Sequence, residues 1–400
     1  MAIEVFGVTG TNGKTTVSYM LKSILEEAGS NCGLIGTITH IIGKNSYEAL
    51  NTTPSKELLK KYFHEMKEQN IETCVMEISS HGLEQGRVSD VKINYSGFTN
   101  LTQDHLDYHV TMENYFEAKA KLFYMTSKGM CINTDDNYGQ RLYDRMKKAQ
   151  EDGEIDSEII INSVGFEKHD VNFFGKIKEN SIGGVVLEIF ENETSWGELE
   201  IELPGKTTAY NALLASGMAR LAGIEKKDII NGLSKMKGVP GRFQKVENDA
   251  GVNVVVDFAH TPDALLNLLK MAHDLREKRL ISVFGCGGNR DKEKRSIMGK
   301  IAGEYCDLCI ITSDNPRYED PAAITAEIER GMLETDCEYM VEIDRRDAIK
   351  KAILIYKPGD LIVIAGRGHE KYQKVNGVEI PFEDMKVTQE IIKEIIDTKE

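Results

Sequence analysis

The sequence predicts a two-domain α/β protein: a phosphate-loop domain with a mostly parallel sheet over residues 1–240, followed by a Rossmann-like α/β domain over residues 241–400. Three observations carry this. Apolar runs of strand type alternate with helix-type stretches almost throughout. The first run leads directly into Gly10-Thr-Asn-Gly-Lys-Thr-Thr16, a phosphate-loop pattern at a strand-to-helix junction. The alternation stops at Gly238-Val-Pro-Gly-Arg242, a hinge-like turn segment, and then restarts.

The elements follow in order. Ile3–Val8 is a short apolar strand. Lys14–Ala28 has helical spacing, and Gly29 suits its C-cap. Cys32–Ile38, Thr73–Ile78 and Met130–Asn133 are buried-type strands. Between Ile159 and Leu203 short strands with a Gly183-Gly184 turn predict antiparallel sheet joined to the parallel core. Thr207–Ala222 is a helix ending at Gly223. In the second half Val252–Phe258, Leu280–Gly285, Leu308–Thr312, Tyr339–Ile343 and Leu361–Ala365 are strands. No internal repeat or low-complexity tract interrupts this order.

Composition narrows the function. A chain of 400 residues, 41 % hydrophobic and 28 % charged, can build more than one ordinary core. Its formal charge of −15 argues against nucleic acid as a partner, because phosphate backbones select basic surfaces. No apolar run approaches a membrane span, and Met-Ala-Ile-Glu-Val-Phe lacks a basic leader, so a cytoplasmic enzyme with small-molecule substrates is expected. The seven cysteines are an odd set in a large chain, which disfavours a disulfide framework. Cys306 and Cys309 form one C-x-x-C at the start of an apolar strand, too few ligands for a zinc site, and are expected as buried thiols.

The phosphate loop carries the first chemistry. Gly10, Thr11, Asn12 and Gly13 let backbone N–H groups face phosphate oxygens at a helix N-terminus. Lys14 is placed to bridge terminal phosphates, and the Thr15 hydroxyl to reach magnesium, with Thr16 beside it. The match is incomplete: the first glycine of the full pattern would fall at Val8, and Gly7 is one place early. Glu77 ends an apolar strand, where α/β proteins gather ligands. In Asn100–His109, Asp104, His105, Asp107 and His109 crowd together, either as metal ligands or as a polar, helix-capping loop. Composition alone reads Lys119 as a solvated helix cation.

Ten segments in order, among them TGTNGKTT, NTTP, MEISSHGLEQGR, NLTQDHLDYH, YFEAKAKLF, PGRF, DFAHTPDAL, FGCGGNRDKEKR, TSDNPR and GRGHE, resemble the Mur ligases of cell-wall synthesis, and among them the MurE type. The resemblance implies an ATP- and magnesium-dependent ligase that joins a carboxylate to an amine through an acyl phosphate. It implies that Lys119 carries a carbamate and, with Glu77 and His105, holds a second magnesium, Thr15 serving the first. It places Asn211, Arg242, Asp257 and His260 around the nucleotide, and Thr52, Thr53, Ser79, Gln85 and Arg87 at the carboxylated acceptor. Arg290, Asp314, Asn315, Arg317, Gly366 and Glu370 would hold the incoming amino acid, and Asp314-Asn-Pro-Arg317 points to meso-diaminopimelate, with Arg317 forking onto its distal carboxylate. A surface loop arginine is the plainer reading of Arg317. MurE-type enzymes carry a uridine diphosphate-binding domain ahead of the phosphate loop, whereas this sequence starts at the phosphate-loop strand. A chain without that domain is therefore expected, and a UDP-free acceptor, as in pseudomurein or peptide-metabolite ligation, is the alternative. A non-catalytic nucleotide-binding subunit is the remaining one.

Overall fold

The structure, a computed structural model, describes residues 3–168 and 170–397. The chain divides into two compact units, Met1–Lys237 and Gly238–Glu400. No helix among the described residues is long and apolar enough to cross a membrane.

The first unit is built on an eleven-stranded sheet. Its strands are β1 (Glu4–Thr9), β2 (Cys32–Ile35), β3 (Thr39–Ile42), β4 (Asn45–Glu48), β5 (Thr73–Glu77), β6 (Ile93–Phe98), β7 (Thr126–Asn133), β8 (Ile160–Gly165), β9 (Phe173–Ser181), β10 (Gly184–Glu191) and β11 (Thr194–Ile201). Their spatial order is β11-β10-β9-β8-β7-β6-β1-β5-β2-β3-β4. From β9 to β2 every neighbouring pair is parallel. The hairpins β3–β4 and β10–β11 close the two edges in antiparallel fashion. β2, β5 and β6 are buried along their whole length, as a sheet covered on both faces requires.

Two expectations change here. The region from Ile159 is not antiparallel throughout: β8 and β9 continue the parallel core, and Ile182 and Gly183 then turn the chain back. The strand expected over Cys32–Ile38 stops at Ile35. Thr37, beyond its end, is freed for a role described below.

The second unit holds a six-stranded sheet of β12 (Gln244–Lys245), β13 (Val254–Asp257), β14 (Leu280–Phe284), β15 (Leu308–Ile311), β16 (Glu338–Val341) and β17 (Leu361–Ala365), ordered β12-β13-β17-β14-β15-β16. All pairs except β12–β13 are parallel. The last strand, β17, is inserted between β13 and β14, so Asp257, Gly366 and Gly285 end neighbouring strands on one edge. A separate hairpin, β18 (Tyr372–Val375) with β19 (Val378–Pro381), follows. All seven cysteines are free, and Cys306 and Cys309 are buried.

Candidate active site

The phosphate loop follows β1, at the centre of the sheet, and gives way to the helix Lys14–Glu27. Gly10 (φ 146°) and Gly13 (φ 86°) make the turn. A side chain at either would collide: its Cβ would lie 1.8 Å from Thr99 Oγ1 at Gly10 and 2.4 Å from Asn211 Oδ1 at Gly13. Asn100 braces the loop: its carbonyl accepts from Thr11 N (2.9 Å) and its Oδ1 from Asn12 N (3.0 Å). Thr99 Oγ1 donates to Asn12 O at 2.6 Å. Lys14 Nζ donates to Gly10 O (2.8 Å) and Thr11 O (2.7 Å), keeping its charge within the loop. The first-turn amides from Lys14 to Thr16 have no intrahelical acceptor, as at any helix start, which makes this a place for anions.

Glu77 ends β5, beside β1, and is 1 % exposed. Its Oε2 accepts from Thr15 Oγ1 at 2.8 Å and from Thr37 Oγ1 at 2.9 Å, and its Oε1 from Thr37 N at 2.8 Å. A hydroxyl and a carboxylate meeting beside a phosphate loop form a hard-oxygen donor pair, which suits magnesium that retains waters. The group therefore fits the residues present.

From Glu77 a hydroxyl chain runs to the residues expected at the acceptor. Thr37 Oγ1 lies 3.1 Å from Thr52 Oγ1. Thr53 Oγ1 donates to Glu77 O (3.0 Å) and accepts from Ser79 N (2.9 Å), with Ser79 Oγ 3.1 Å away. Arg87 donates from Nη1 to Thr53 O (2.7 Å), and from Nε and Nη2 to Gln85 Oε1 (2.9 and 2.6 Å). Five residues scattered over some 35 positions of sequence thus belong to one hydrogen-bonded network. Thr37 was not singled out because the over-long strand placed it inside regular structure; its position after an apolar run, next to Gly36, was the available clue.

Lys119 is buried, contrary to its reading from composition. On the helix Met112–Tyr124 it shares a face with Tyr115 and Leu122 and is 1 % exposed. Its Nζ donates to Gly10 O at 2.7 Å and lies 4.5 Å from the Tyr115 ring centroid. Burial, and then the charge of Lys14, push its amine well below the usual lysine range. The acidic and histidine-rich loop does not converge: Asp104, His105 and Asp107 are exposed, while His109 is buried against Ser80 Oγ (2.9 Å) and stacks on Tyr115. No group of three or more His, Cys, Asp or Glu suited to a metal occurs among the described residues. His105, at φ 52°, occupies the N-cap position of a single helical turn, without a side-chain cap bond, and packs against His81.

Asn211 lies on the helix Lys206–Leu221 and lines a cleft of about 300 Å³ with Thr99, Asn100, Asn133, Asp135 and Tyr210. Asp135 Oδ2 accepts from Tyr210 OH (2.8 Å) and Phe166 N (2.6 Å). Asn133, Asp135 and Tyr210 were missed; the Asn-Thr-Asp-Asp run after an apolar strand was the signal for the first two.

In the second unit, Asp257 is buried at the end of β13, accepting from Phe243 N (2.6 Å) and Ala259 N (2.8 Å), and burial raises its pKa. Arg242 lies 5.7 Å from the Phe258 ring, and His260 bonds Phe258 O through Nδ1 (2.8 Å). Beyond β15, Asp314 is buried, and its Oδ2 has no hydrogen-bond partner among the described residues. That oxygen faces Gly366, where a Cβ would stand 2.5 Å away. Asn315 Nδ2 donates to Glu370 Oε2 (2.8 Å), whose pKa burial raises. Asn315 Oδ1 accepts from Arg367 Nη1 (2.9 Å), a fully buried arginine that was not singled out. Arg317 adopts φ 54°, a conformation uncommon for a residue that carries a Cβ, and its Nη1 donates to Gly288 O at 2.9 Å. Arg290 is exposed and, with Arg317, flanks Gly287.

Glu319 ties the two loops of this group together. It accepts from the fully buried Arg295 at 3.1 Å on both oxygens and from Asn289 N. These bonds hold its carboxyl down at about 2, below the ordinary 4.5. A depressed carboxylate contributes stability that is complete above the unfolded value and is lost as pH falls through the folded one. Stability of the second unit is therefore expected to decline between about pH 4.5 and 2, and Glu319→Gln should flatten that part of the curve. Thermal denaturation of both proteins over this range checks it; parallel curves would refute the assignment.

Residues 8–219 match the Mur ligase middle domain, and residues 241–368 the Mur ligase glutamate ligase domain. The UDP-N-acetylmuramoyl-L-alanyl-D-glutamate–2,6-diaminopimelate ligase of Alkaliphilus oremlandii is 44 % identical over 391 residues, covering 98 % of this chain and 78 % of that protein. Its namesake in Clostridium botulinum is 45 % identical over 395 residues, with coverage of 98 % and 78 %. A solved structure of a ligase of that name superposes with a TM-score of 0.74 at 34 % identity, over 99 % of this chain and 79 % of the other. A pseudomurein peptide ligase type C from Methanothermus fervidus superposes at 0.67 with 19 % identity, over 98 % and 79 %, which is a likeness of fold.

Proposed function

Since the chain belongs to the Mur ligase family of ATP-dependent, ADP-forming amide ligases, we propose that it adds meso-diaminopimelate to a UDP-muramoyl-peptide-like acceptor in peptidoglycan synthesis. The observation that carries the choice of amino acid is the pairing of Arg317, in a left-handed conformation, with Asp314, whose buried Oδ2 is unpaired. A fixed cation and an unsatisfied carboxylate from one loop match an amino acid that offers a distal carboxylate and an ammonium.

The acceptor carboxylate rests on the Thr52–Arg87 network. Its oxygen attacks the γ-phosphorus of ATP; the bond to the β–γ bridging oxygen breaks and ADP leaves. Lys14 and the first-turn amides balance the charge of the migrating phosphoryl group. Magnesium, held by Thr15 and Glu77, supplies further charge neutralisation there when bound. The amine then adds to the acyl phosphate carbonyl, and phosphate departs as the amide forms. Burial, and then the charge of Lys14, push the Lys119 amine well below the usual lysine range, which favours the neutral form that adds carbon dioxide with loss of a proton. The resulting carbamate would turn a buried amine into an oxygen ligand.

The test is phosphate release with ATP, UDP-muramoyl-dipeptide and an amino acid panel. Release that requires both acceptor and diaminopimelate is expected. Release without acceptor, or none with diaminopimelate, would refute the proposal.

A further inference from the structure

The hairpin β18–β19 forms a sheet of its own, and β19 is exposed along its whole length. A two-stranded hairpin is at best marginally stable alone in water, so its shape depends on its other contacts. Its base is closed by Phe382 N donating to Lys371 O at 2.9 Å, and the buried Arg367 donates from Nη2 to Phe382 O at 2.9 Å. Its tip is the two-residue turn Asn376-Gly377, with φ 49° and 78°, a pair of residues suited to such turns. A Cβ at Gly377 would stand 2.8 Å from Tyr318 Oη, so the tip rests on the residue after Arg317.

β18 also pairs with the loop that carries Asp314 and Arg317. Arg317 N donates to Lys374 O at 2.9 Å, Asn376 N donates to Arg317 O, and Arg317 and Val375 form a parallel bridge. Lys374 N donates to Asn315 Oδ1 at 2.8 Å, and Gln373 Nε2 donates to Asp314 O at 2.6 Å. Asp314, Asn315 and Arg317 are thus each bonded to β18 or its turn. Both backbone groups of Arg317 are tied in this way, and a left-handed φ at a residue with a Cβ persists only where its surroundings over-determine it. β18 begins two residues after Glu370, so the hairpin joins the two loops, Asp314–Arg317 and Gly366–Glu370, expected at the amino acid.

We propose that this hairpin sets the amino-acid specificity of the site, with Gln373 and Asn376 as positioning residues that hold Asp314 and Arg317 for an amino acid bearing a distal carboxylate. The inference rests on the amino-acid reading given above. A guanidinium fork binds a carboxylate in a narrow range of directions, and that direction follows the backbone from which the side chain hangs. Freeing this backbone should therefore penalise diaminopimelate more than lysine or ornithine, which offer no distal carboxylate.

The test compares two substitutions at the exposed Asn376. Asn376→Val keeps the backbone N–H but puts a β-branched residue at φ 49°, where it is a steric outlier. Asn376→Gly keeps that conformation accessible and is the rescue control. In Asn376→Val, amide hydrogen exchange over residues 313–319 should speed up at least tenfold, with the rest of the second unit unchanged. The KM for diaminopimelate should rise at least tenfold while kcat at saturation stays within about threefold, and the preference in kcat/KM for diaminopimelate over lysine should fall at least tenfold. Asn376→Gly should match the unmutated protein in all of these. Gln373→Glu, which turns the donor facing Asp314 O into an acceptor, should act in the same direction as Asn376→Val. Unchanged exchange at 313–319 in both Asn376→Val and Gln373→Glu would overturn the proposal, and so would faster exchange with an unchanged KM for diaminopimelate. An unmutated protein that prefers another amino acid, whose KM then rises in Asn376→Val, would uphold the hairpin's role and overturn the function proposed above.

Discussion

Lys119→Ala is expected to lower ligation by roughly three orders of magnitude or more, the scale on which loss of a single transition-state charge-stabilising group is felt. The residue sits at 1 % exposure against the phosphate loop, its Nζ 2.7 Å from Gly10 O, on a helix already packed through Tyr115, Phe116 and Leu122. Removing a buried, charge-disfavoured amine should leave the unit folded, so circular dichroism and thermal unfolding should change little. Arginine cannot stand in: it stays protonated and forms no carbamate. Phosphate release by the alanine and arginine variants, with and without added bicarbonate, is the measurement. Unmutated turnover in Lys119→Arg would end the carbamate reading.

The second large effect is expected at Arg317. Loss of one partner of a buried, hydrogen-bonded charge pair costs on the order of 2–5 kcal/mol, much of it from the charge left alone. Arg317→Ala should therefore raise the KM for diaminopimelate by about 10²-fold or more, while the KM for ATP stays near its original value. Its Nη1 bonds to Gly288 O and Asn315 O fix the plane of the guanidinium, so Arg317→Lys should not restore affinity. Kinetics with diaminopimelate, lysine and ornithine side by side test the choice. Equal kcat/KM for lysine and diaminopimelate in the unmutated protein would contradict it.

Much of the parallel core could be read from sequence because strands such as Leu280–Phe284 and Leu361–Ala365 are almost wholly apolar runs. Short exposed strands carried no such pattern: Asn45–Glu48 and Val378–Pro381 are polar or mixed and mostly exposed, so they were not foreseen. Within the site, the phosphate loop was legible because its residues are contiguous. The Glu77–Thr37–Thr52 relay was not, since it depends on where β2 ends and on three loops meeting over one strand edge. Lys119 shows the limit of composition. Residue type favours solvent, yet its spacing of four from Tyr115 and three from Leu122 places it on the packed face.

The hairpins that close the central sheet bear on self-association. A sheet of eleven strands ends in two rows of unpaired backbone groups, each a template on which another chain could add a strand. One boundary strand, β4, is only four residues long and mostly exposed and polar. The other, β11, carries Glu198 and Glu200, with Glu202 just beyond it. Two copies meeting edge to edge at β11 would stack carboxylates against carboxylates. A short polar strand at one edge and a carboxylate-bearing strand at the other thus disfavour strand addition at the places where a long sheet is most open to it.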